Sequence, residues 1–278
     1  MAEPKVLLSD IVLGESVRWH DGRLWFSDWG TGQIITMNGE AKDVVVTVDG
    51  MPFCFDWLPD GRMISTNGRN QRLLRREPDG SLVEHADLTG IAGPHPWNDI
   101  AADRRGYAFI NNVGFDFPDG EPKPGLIAVV TPDGEARPVA DGLMFPNGMA
   151  VTADDSTLIV AESYASRLTA FDIGPDGDLT NRRVWAPLEG AAPDGISIDA
   201  EGAVWYADVP NQNCVRVREG GQVLQTVALD RGGFDCAVSS DATLYIVAAD
   251  FSDPAAMTGG IPTGRLLAVD VEVPGIAR

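Results

Sequence analysis

The chain has 278 residues, 44% of them hydrophobic and 22% charged, enough for a sizeable core and too regular in composition for long disordered tails. With 21 Lys and Arg against 41 Asp and Glu, the formal net charge of -20 repels polyanions, which excludes nucleic acid as a partner, and attracts cations. Cys54, Cys214 and Cys236 are too few and too scattered for a disulfide framework, no apolar run approaches the roughly 20 residues of a membrane span, and the start MAEPKVLLSD lacks a signal-peptide stretch. The expectation is one domain, residues 1–278, soluble and cytoplasmic, without a membrane partner.

In chain order, PKVLLSD reads first as a lone strand with no hairpin partner nearby. Six strand–turn–strand segments follow: GESVRWHDGRLWFSD from Gly14, FCFDWLPDGRMIST from Phe53, NDIAADRRGYAFINN from Asn98, NGMAVTADDSTLIVAE from Asn147, DGISIDAEGAVWYAD from Asp194 and FDCAVSSDATLYIVAAD from Phe234. In each, an alternating apolar run meets an Asp-Gly, Arg-Gly, Glu-Gly or Asp-rich turn and then a β-branched and aromatic run, the hairpin signature. The starts fall about 40 to 50 residues apart, the spacing of four-stranded propeller blades. The stretches between them, such as GQIITMNGEAKDVVV and NCVRVREGGQVLQTVAL, read as two more strands around a Gly turn. The prediction is an all-β, six-bladed β-propeller with four-stranded antiparallel blades, in which GRLLAVDVEV, Gly264 to Val273, pairs with the N-terminal strand to close the ring and hide both edges. Long amphipathic helices are absent from the pattern, and a β-sandwich would not repeat one internal order six times.

The residues that open the inner strands should converge on the blade axis. They are Glu15, one of Phe53 or Cys54, Asn98, Asn147, Asp194, and one of Phe234, Asp235 or Cys236. A lone Asn-Gly or Asp-Gly is ordinarily a turn. Turn chemistry does not explain Glu15 or Asn98, nor why four oxygen-bearing residues share one place in the repeat. Two carboxylates in a narrow channel call for a cation, and two carboxylates with two amides offer hard oxygen donors suited to one divalent ion: Ca²⁺ first, with Mg²⁺, Mn²⁺, Zn²⁺ and Fe²⁺ as alternatives. His20, His85 and His95 lack ligand spacing. The links at the same mouth include NGRN with Arg69, the lengthened NNVGFDFPDGEPKPG with Asn112 and Phe115, SYAS with Tyr164, and the lengthened DFSDPAAMTGGIPTG. The links entering the inner strands add His95, Trp97, Met144 and Phe145. The substrate-contact set expected from these is Trp97, Asn112, Phe115, Phe145, Tyr164, Arg69 and Cys236 around a polar floor.

The ordered motifs LGESVRW, WND, FPNGMAVTADDSTLIVAES and PDGISIDAEGAVW resemble the senescence-marker-protein/gluconolactonase, or regucalcin-like, family over essentially the whole chain. The resemblance implies a six-bladed propeller with one divalent metal held by Glu15, Asn98, Asn147 and Asp194. It also implies hydrolysis of a lactone, commonly a sugar lactone, with Asp194 taking or relaying the proton. Where sugar-lactonase members often carry an Arg that contacts substrate hydroxyls, this chain has Pro96. That departure and the aromatic side chains point to a less polar lactone or ester. No Gly-x-Ser-x-Gly elbow is present. The expected partner is a small-molecule lactone or ester, and the expected state a monomer or weak homo-oligomer. The contrasting expectation is a non-catalytic propeller that binds a divalent cation in a regulatory role. A WD-type scaffold is disfavoured because recurrent Gly-His and Trp-Asp pairs are missing.

Overall fold

The computed structural model describes residues 3–39, 41–252 and 261–276. After β1 (Lys5–Ile11), the strands come in sets of four, each set one antiparallel sheet. The first sheet is β2 (Gly14–His20), β3 (Arg23–Asp28), β4 (Gln33–Asn38) and β5 (Ala41–Thr47). The second is β6 (Phe55–Trp57), β7 (Met63–Asn67), β8 (Arg72–Arg76) and β9 (Leu82–Asp87). The third is β10 (Trp97–Ala102), β11 (Ala108–Asn112), β12 (Gly125–Val130) and β13 (Ala136–Leu143). The fourth is β14 (Pro146–Val151), β15 (Thr157–Glu162), β16 (Arg167–Ile173) and β17 (Leu179–Pro187). The fifth is β18 (Pro193–Ile198), β19 (Val204–Asp208), β20 (Asn213–Val217) and β21 (Val223–Ala228). The last joins β22 (Gly232–Val238), β23 (Thr243–Ala249) and β24 (Gly264–Asp270) to β1.

These are the six blades of the expected β-propeller. The predicted pairing of the two terminal strands is present, with Lys5 opposite Ala268 and Ile11 opposite Gly264, so β1 covers the edge that β24 would otherwise leave open. The blades fall into two compact units. One comprises the first 47 residues with those from Trp185 onward, and the other runs from Val48 to Val184. Residues 253–260 of the lengthened link from Asp250 lie outside the described residues.

Local chemistry explains the hairpins. Asp21 and Gly22 both take positive φ, 50° and 70°, the twist-matched two-residue turn that Asp-Gly favours. The second strands β7, β11 and β19 are buried along their whole length, whereas the outer strand β5 is largely exposed and the outer strand β21 mostly half-buried. Sheets covered on both faces need apolar residues at every position, which is why AFINN and VWYAD alternate poorly. In the first unit, one core packs Val17, Phe26, Phe234, Val247 and Leu266, and another packs Trp205, Leu244, Ile246 and Leu267. In the second, Phe109, Val129, Met149, Val160 and Phe171 pack together.

Candidate functional site

Register places the four predicted donors at one point of the repeat. Gly14 pairs with Asp28, Trp97 with Asn112, Pro146 with Glu162, and Pro193 with Asp208, so each inner strand meets the last residue of its second strand there. Glu15, Asn98, Asn147 and Asp194 are in each case the next residue. The ladder breaks at or just after them, between Glu15 and Arg18, Trp97 and Ile100, Pro146 and Met149, and Pro193 and Ile196. A bulge releases a side chain from the alternation of the strand and re-aims it, which is what a ligand residue at a strand head needs. Ser16, directly after Glu15, is held at φ 51°.

The same register settles two positions left open by the sequence. In the sixth blade Gly232 pairs with Ala249, so the matching residue is Gly233, and neither Phe234, Asp235 nor Cys236 occupies that place. In the second blade Thr66, one residue before the end of β7, donates its backbone N–H to the Cys54 carbonyl and accepts Cys54 N at its side-chain Oγ1, 2.8 Å away, and Cys54 is the match. Neither position supplies an oxygen-bearing side chain.

Two sets of polar residues hold these strand heads, among them Asn112 and Asp235, for which the sequence suggested other roles. In four of the six blades the last side chain of the second strand binds the link entering the inner strand. Asp28 accepts from Val12 N at 3.3 Å and Leu13 N at 3.1 Å, Glu162 accepts from Met144 N at 2.7 Å, and Asp208 accepts from Ala192 N at 3.3 Å. Asn112 donates Nδ2 to the carbonyls of His95 and Pro96, both at 2.8 Å, while its Oδ1 accepts from Gly114 N at 2.8 Å. These links carry buried backbone groups that need partners, and one side chain in each of the four blades supplies them. The Asn112 amide is therefore engaged at both ends by the backbone of the adjoining links, and the residue is 1% exposed, unlike the substrate contact expected of it.

A second set ties neighbouring inner strands together. Asp56 accepts from Ala102 N at 2.8 Å and Asp99 from Met149 N at 2.8 Å in one unit. In the other, Ser197 accepts from Val238 N at 3.2 Å and Asp235 from Val17 N at 2.6 Å. An inner strand has a free edge, and these side chains satisfy its N–H groups. The signal was present in FDW, NDI and FDC, an Asp as the second, third or fourth residue of the inner strand, but it reads equally as surface charge.

In the first unit, Glu15 and Asp194 are each 9% exposed. Gly195 explains the Pro-Asp-Gly motif, and not as a turn. Its φ is not positive, and a Cβ there would sit 1.8 Å from Asp235 Oδ1, so glycine is required by the carboxylate packed against it. Cys236 is fully buried, and burial together with the neighbouring Cys214 thiol pushes its own thiol well above the ordinary range. It is a neutral core residue with no surface for a ligand.

In the second unit, Asn98 Nδ2 lies 3.2 Å from Asn147 Oδ1, Asn147 Nδ2 donates to Ser163 Oγ at 3.4 Å, and Asn111 Nδ2 donates to the Asn147 carbonyl at 2.5 Å. Among the expected substrate contacts, Phe115, Phe145 and Tyr164 come together, joined by Phe117. Ring centroids are 4.6 Å apart for Phe145 and Tyr164, 5.2 Å for Phe117 and Phe145, and 5.8 Å for Phe115 and Phe145. Phe145 takes φ 55° and its carbonyl accepts from Ser163 N, while the Met144 carbonyl accepts from Tyr164 N. Burial raises the Tyr164 phenol, which stays protonated. Trp97 is fully buried and Arg69, exposed, donates Nε to the Met51 carbonyl at 3.0 Å.

The donor chemistry fits a hard divalent ion. The 3.2 Å between the amide ends of Asn98 and Asn147 is about the spacing of adjacent donors on an ion bound at roughly 2.3–2.6 Å, once the Asn98 amide presents its oxygen. Among the described residues no three His, Cys, Asp or Glu side chains form a metal cluster.

Fold and strand heads together define a six-bladed β-propeller in which four of the six inner strands open on oxygen-bearing side chains. The chain belongs to the family described as the SMP-30/gluconolactonase/LRE-like region, whose model matches residues 13–250. Among solved structures it is similar to a luciferin-regenerating enzyme, with a TM-score of 0.83 and 20% identity over 100% of this chain and 97% of that one. It is similar to the calcium-binding protein regucalcin from Agrobacterium tumefaciens, with a TM-score of 0.83 and 20% identity over 100% and 96%. A gluconolactonase from Xanthomonas campestris aligns with a TM-score of 0.78 and 20% identity over 98% and 90%. Likeness at these identities concerns the fold. No curated protein is matched by the sequence. Among the described residues no helix is long and apolar enough to cross a membrane.

Proposed function

We propose that the protein is a metal-dependent hydrolase that opens a lactone, either a sugar lactone or a less polar lactone or ester. Glu15, Asn98, Asn147 and Asp194 would hold one divalent ion, Ca²⁺ in the first instance. The observation that carries this reading is the shared register position of these four residues at the breaks in four inner strands. Family membership and the gluconolactonase likeness support it. When bound, such an ion polarises an ester carbonyl and lowers the pKa of a coordinated water. Asp194 takes or relays the proton from the attacking water. Asn98 and Asn147 supply neutral oxygens, so the site's charge rests on Glu15 and Asp194. The acidic surface keeps nucleic acid away, and the three free buried cysteines accord with a reducing, cytoplasmic setting. The protein acts as a monomer or weak homo-oligomer.

The test is hydrolysis of a lactone panel with Ca²⁺, Mg²⁺, Mn²⁺, Zn²⁺ or Fe²⁺ added in turn, using the wild type, Asp194→Asn and Asn147→Ala. Turnover that depends on an ion and disappears in both variants is expected. A second reading, a non-catalytic calcium-binding role, draws on the likeness to regucalcin. It is favoured if an ion raises the melting temperature while no substrate in the panel turns over.

A further inference from the structure

We infer that the ring cluster of Phe115, Phe117, Phe145 and Tyr164 is a subsite for a flat aromatic substituent on the substrate, which makes an aryl-substituted lactone the preferred class. The inference rests on the hydrolase reading above for the reaction and on the second unit alone for the subsite. Phe117 is 51% and Tyr164 48% exposed, although both rings have aromatic partners already in place. Phe115, 3% exposed, forms the base beneath them. The interplanar angles of 80° for Phe115 with Phe117 and 83° for Phe117 with Phe145 are edge-to-face, and Phe145 with Tyr164 is tilted at 33°. Such an arrangement presents both ring edges and ring faces, and an incoming ring is attracted to either.

The cluster is also built rather than accidental. Phe145 is held in a left-handed conformation that non-glycine residues rarely adopt, kept there by the Glu162 carboxylate on Met144 N and by Ser163 N on its own carbonyl. It stands two residues before Asn147, whose side chain is bonded to Ser163, the residue before Tyr164. Phe145 therefore lies two residues before a proposed ion ligand, and Tyr164 directly follows that ligand's hydrogen-bond partner. The polar groups next to the ring-bearing link are committed: Asn112 to backbone on both ends, and His95 to Asp116 at 2.9 Å. Groups engaged in this way are poorly placed to serve several sugar hydroxyls, whereas the exposed rings can each gain apolar contact.

The experiment compares kcat/KM for a phenyl-substituted γ-butyrolactone, unsubstituted γ-butyrolactone and glucono-δ-lactone in the wild type, Phe117→Ala, Tyr164→Ala and Tyr164→Phe. Calorimetric binding of the phenyl-substituted lactam, which is not hydrolysed, runs alongside. The phenyl lactone should be the best substrate. Its advantage over the unsubstituted lactone should fall about 3- to 10-fold in each alanine variant, through KM, and be retained in Tyr164→Phe. Both rings are exposed, so these variants are expected to fold. A preference for glucono-δ-lactone, or an unchanged ratio in both alanine variants, overturns the subsite and leaves the hydrolase reading standing. If the wild type hydrolyses nothing, the hydrolase reading falls. The subsite is then decided by the lactam: binding weakened by Phe117→Ala upholds it, and no binding by the wild type overturns it.

Discussion

Replacing Gly195 by Ala tests how the strand heads of the first unit are held. The new Cβ would lie 1.8 Å from Oδ1, 2.2 Å from Cγ and 2.6 Å from Cα of Asp235. The carboxylate can turn away only by giving up its hydrogen bonds from Val17 N at 2.6 Å and Cys236 N at 2.7 Å, each worth about 1.5–3 kcal/mol with a charged acceptor. The Cα cannot turn away, so β18 and β22 must also separate, an overpacking cost of about 1–3 kcal/mol. With both hydrogen bonds lost, the single variant should lose about 4–9 kcal/mol, with strand relaxation placing it toward the lower end. Asp235→Ala should lose about 2–4 kcal/mol from its unpaired N–H groups. The double variant removes the clash with Oδ1 and Cγ, so it should be less destabilised than the sum by about 1–3 kcal/mol. Equilibrium urea unfolding of the four proteins, followed by tryptophan fluorescence and far-ultraviolet circular dichroism, measures this coupling. A Gly195→Ala protein as stable as the wild type, or effects that add to within about 0.5 kcal/mol, would refute the reasoning. Because Asp194 precedes Gly195, the variant should also show a smaller rise in melting temperature on adding Ca²⁺.

Three further outcomes follow from the clamps and buried charges. Asp28→Ala leaves the links at Val12 and Leu13 without an acceptor and touches no proposed donor, yet it should reduce the Ca²⁺-dependent rise in melting temperature; an unaltered rise would mean the clamp does not position Glu15. Burial raises the Glu162 carboxyl, but hydrogen bonds from Arg167, Thr169 and Met144 N and the charge of Arg167 outweigh it and hold the group below the usual glutamate value. A folded-state pKa below the unfolded one contributes stability that is fully present above about pH 4.5 and is lost as pH falls through the lower, folded value, so Glu162→Gln should flatten the acid limb of a pH–stability curve. Asp199 is fully buried and accepts from Arg216 Nε at 2.6 Å, Glu201 N at 2.9 Å and Ala203 N at 3.0 Å. Asp199→Ala should therefore cost about 3–5 kcal/mol in urea unfolding, where a loss under about 1 kcal/mol would show that the pair is solvated.

Much of this was legible in the chain because it is written locally. Asp21-Gly22 specifies a tight turn through backbone torsions, and the β-branched and aromatic runs that flank such turns specify strands. Six repeats of that grammar, at a spacing only blades use, determined the architecture. They also determined the terminal pairing, since a lone strand at each end is left with an open edge. Glu15, Asn98, Asn147 and Asp194 could be singled out for the same reason, as positions in a repeat rather than as contacts.

What required tertiary structure was everything that depends on neighbours distant in sequence. Asp28, Glu162 and Asp208 read as strand-end carboxylates until their hydrogen bonds to the next link are seen, and Asn112 reads as a ligand contact until both ends of its amide are found engaged. Gly195 read as turn chemistry because a sequence does not show that Asp235, 40 residues later, lies against its Cα. Periodicity reports which way a strand points on average. A bulge shifts that register by one residue, and whether the shifted side chain meets water, a backbone amide or another ring is decided by the strand packed beside it.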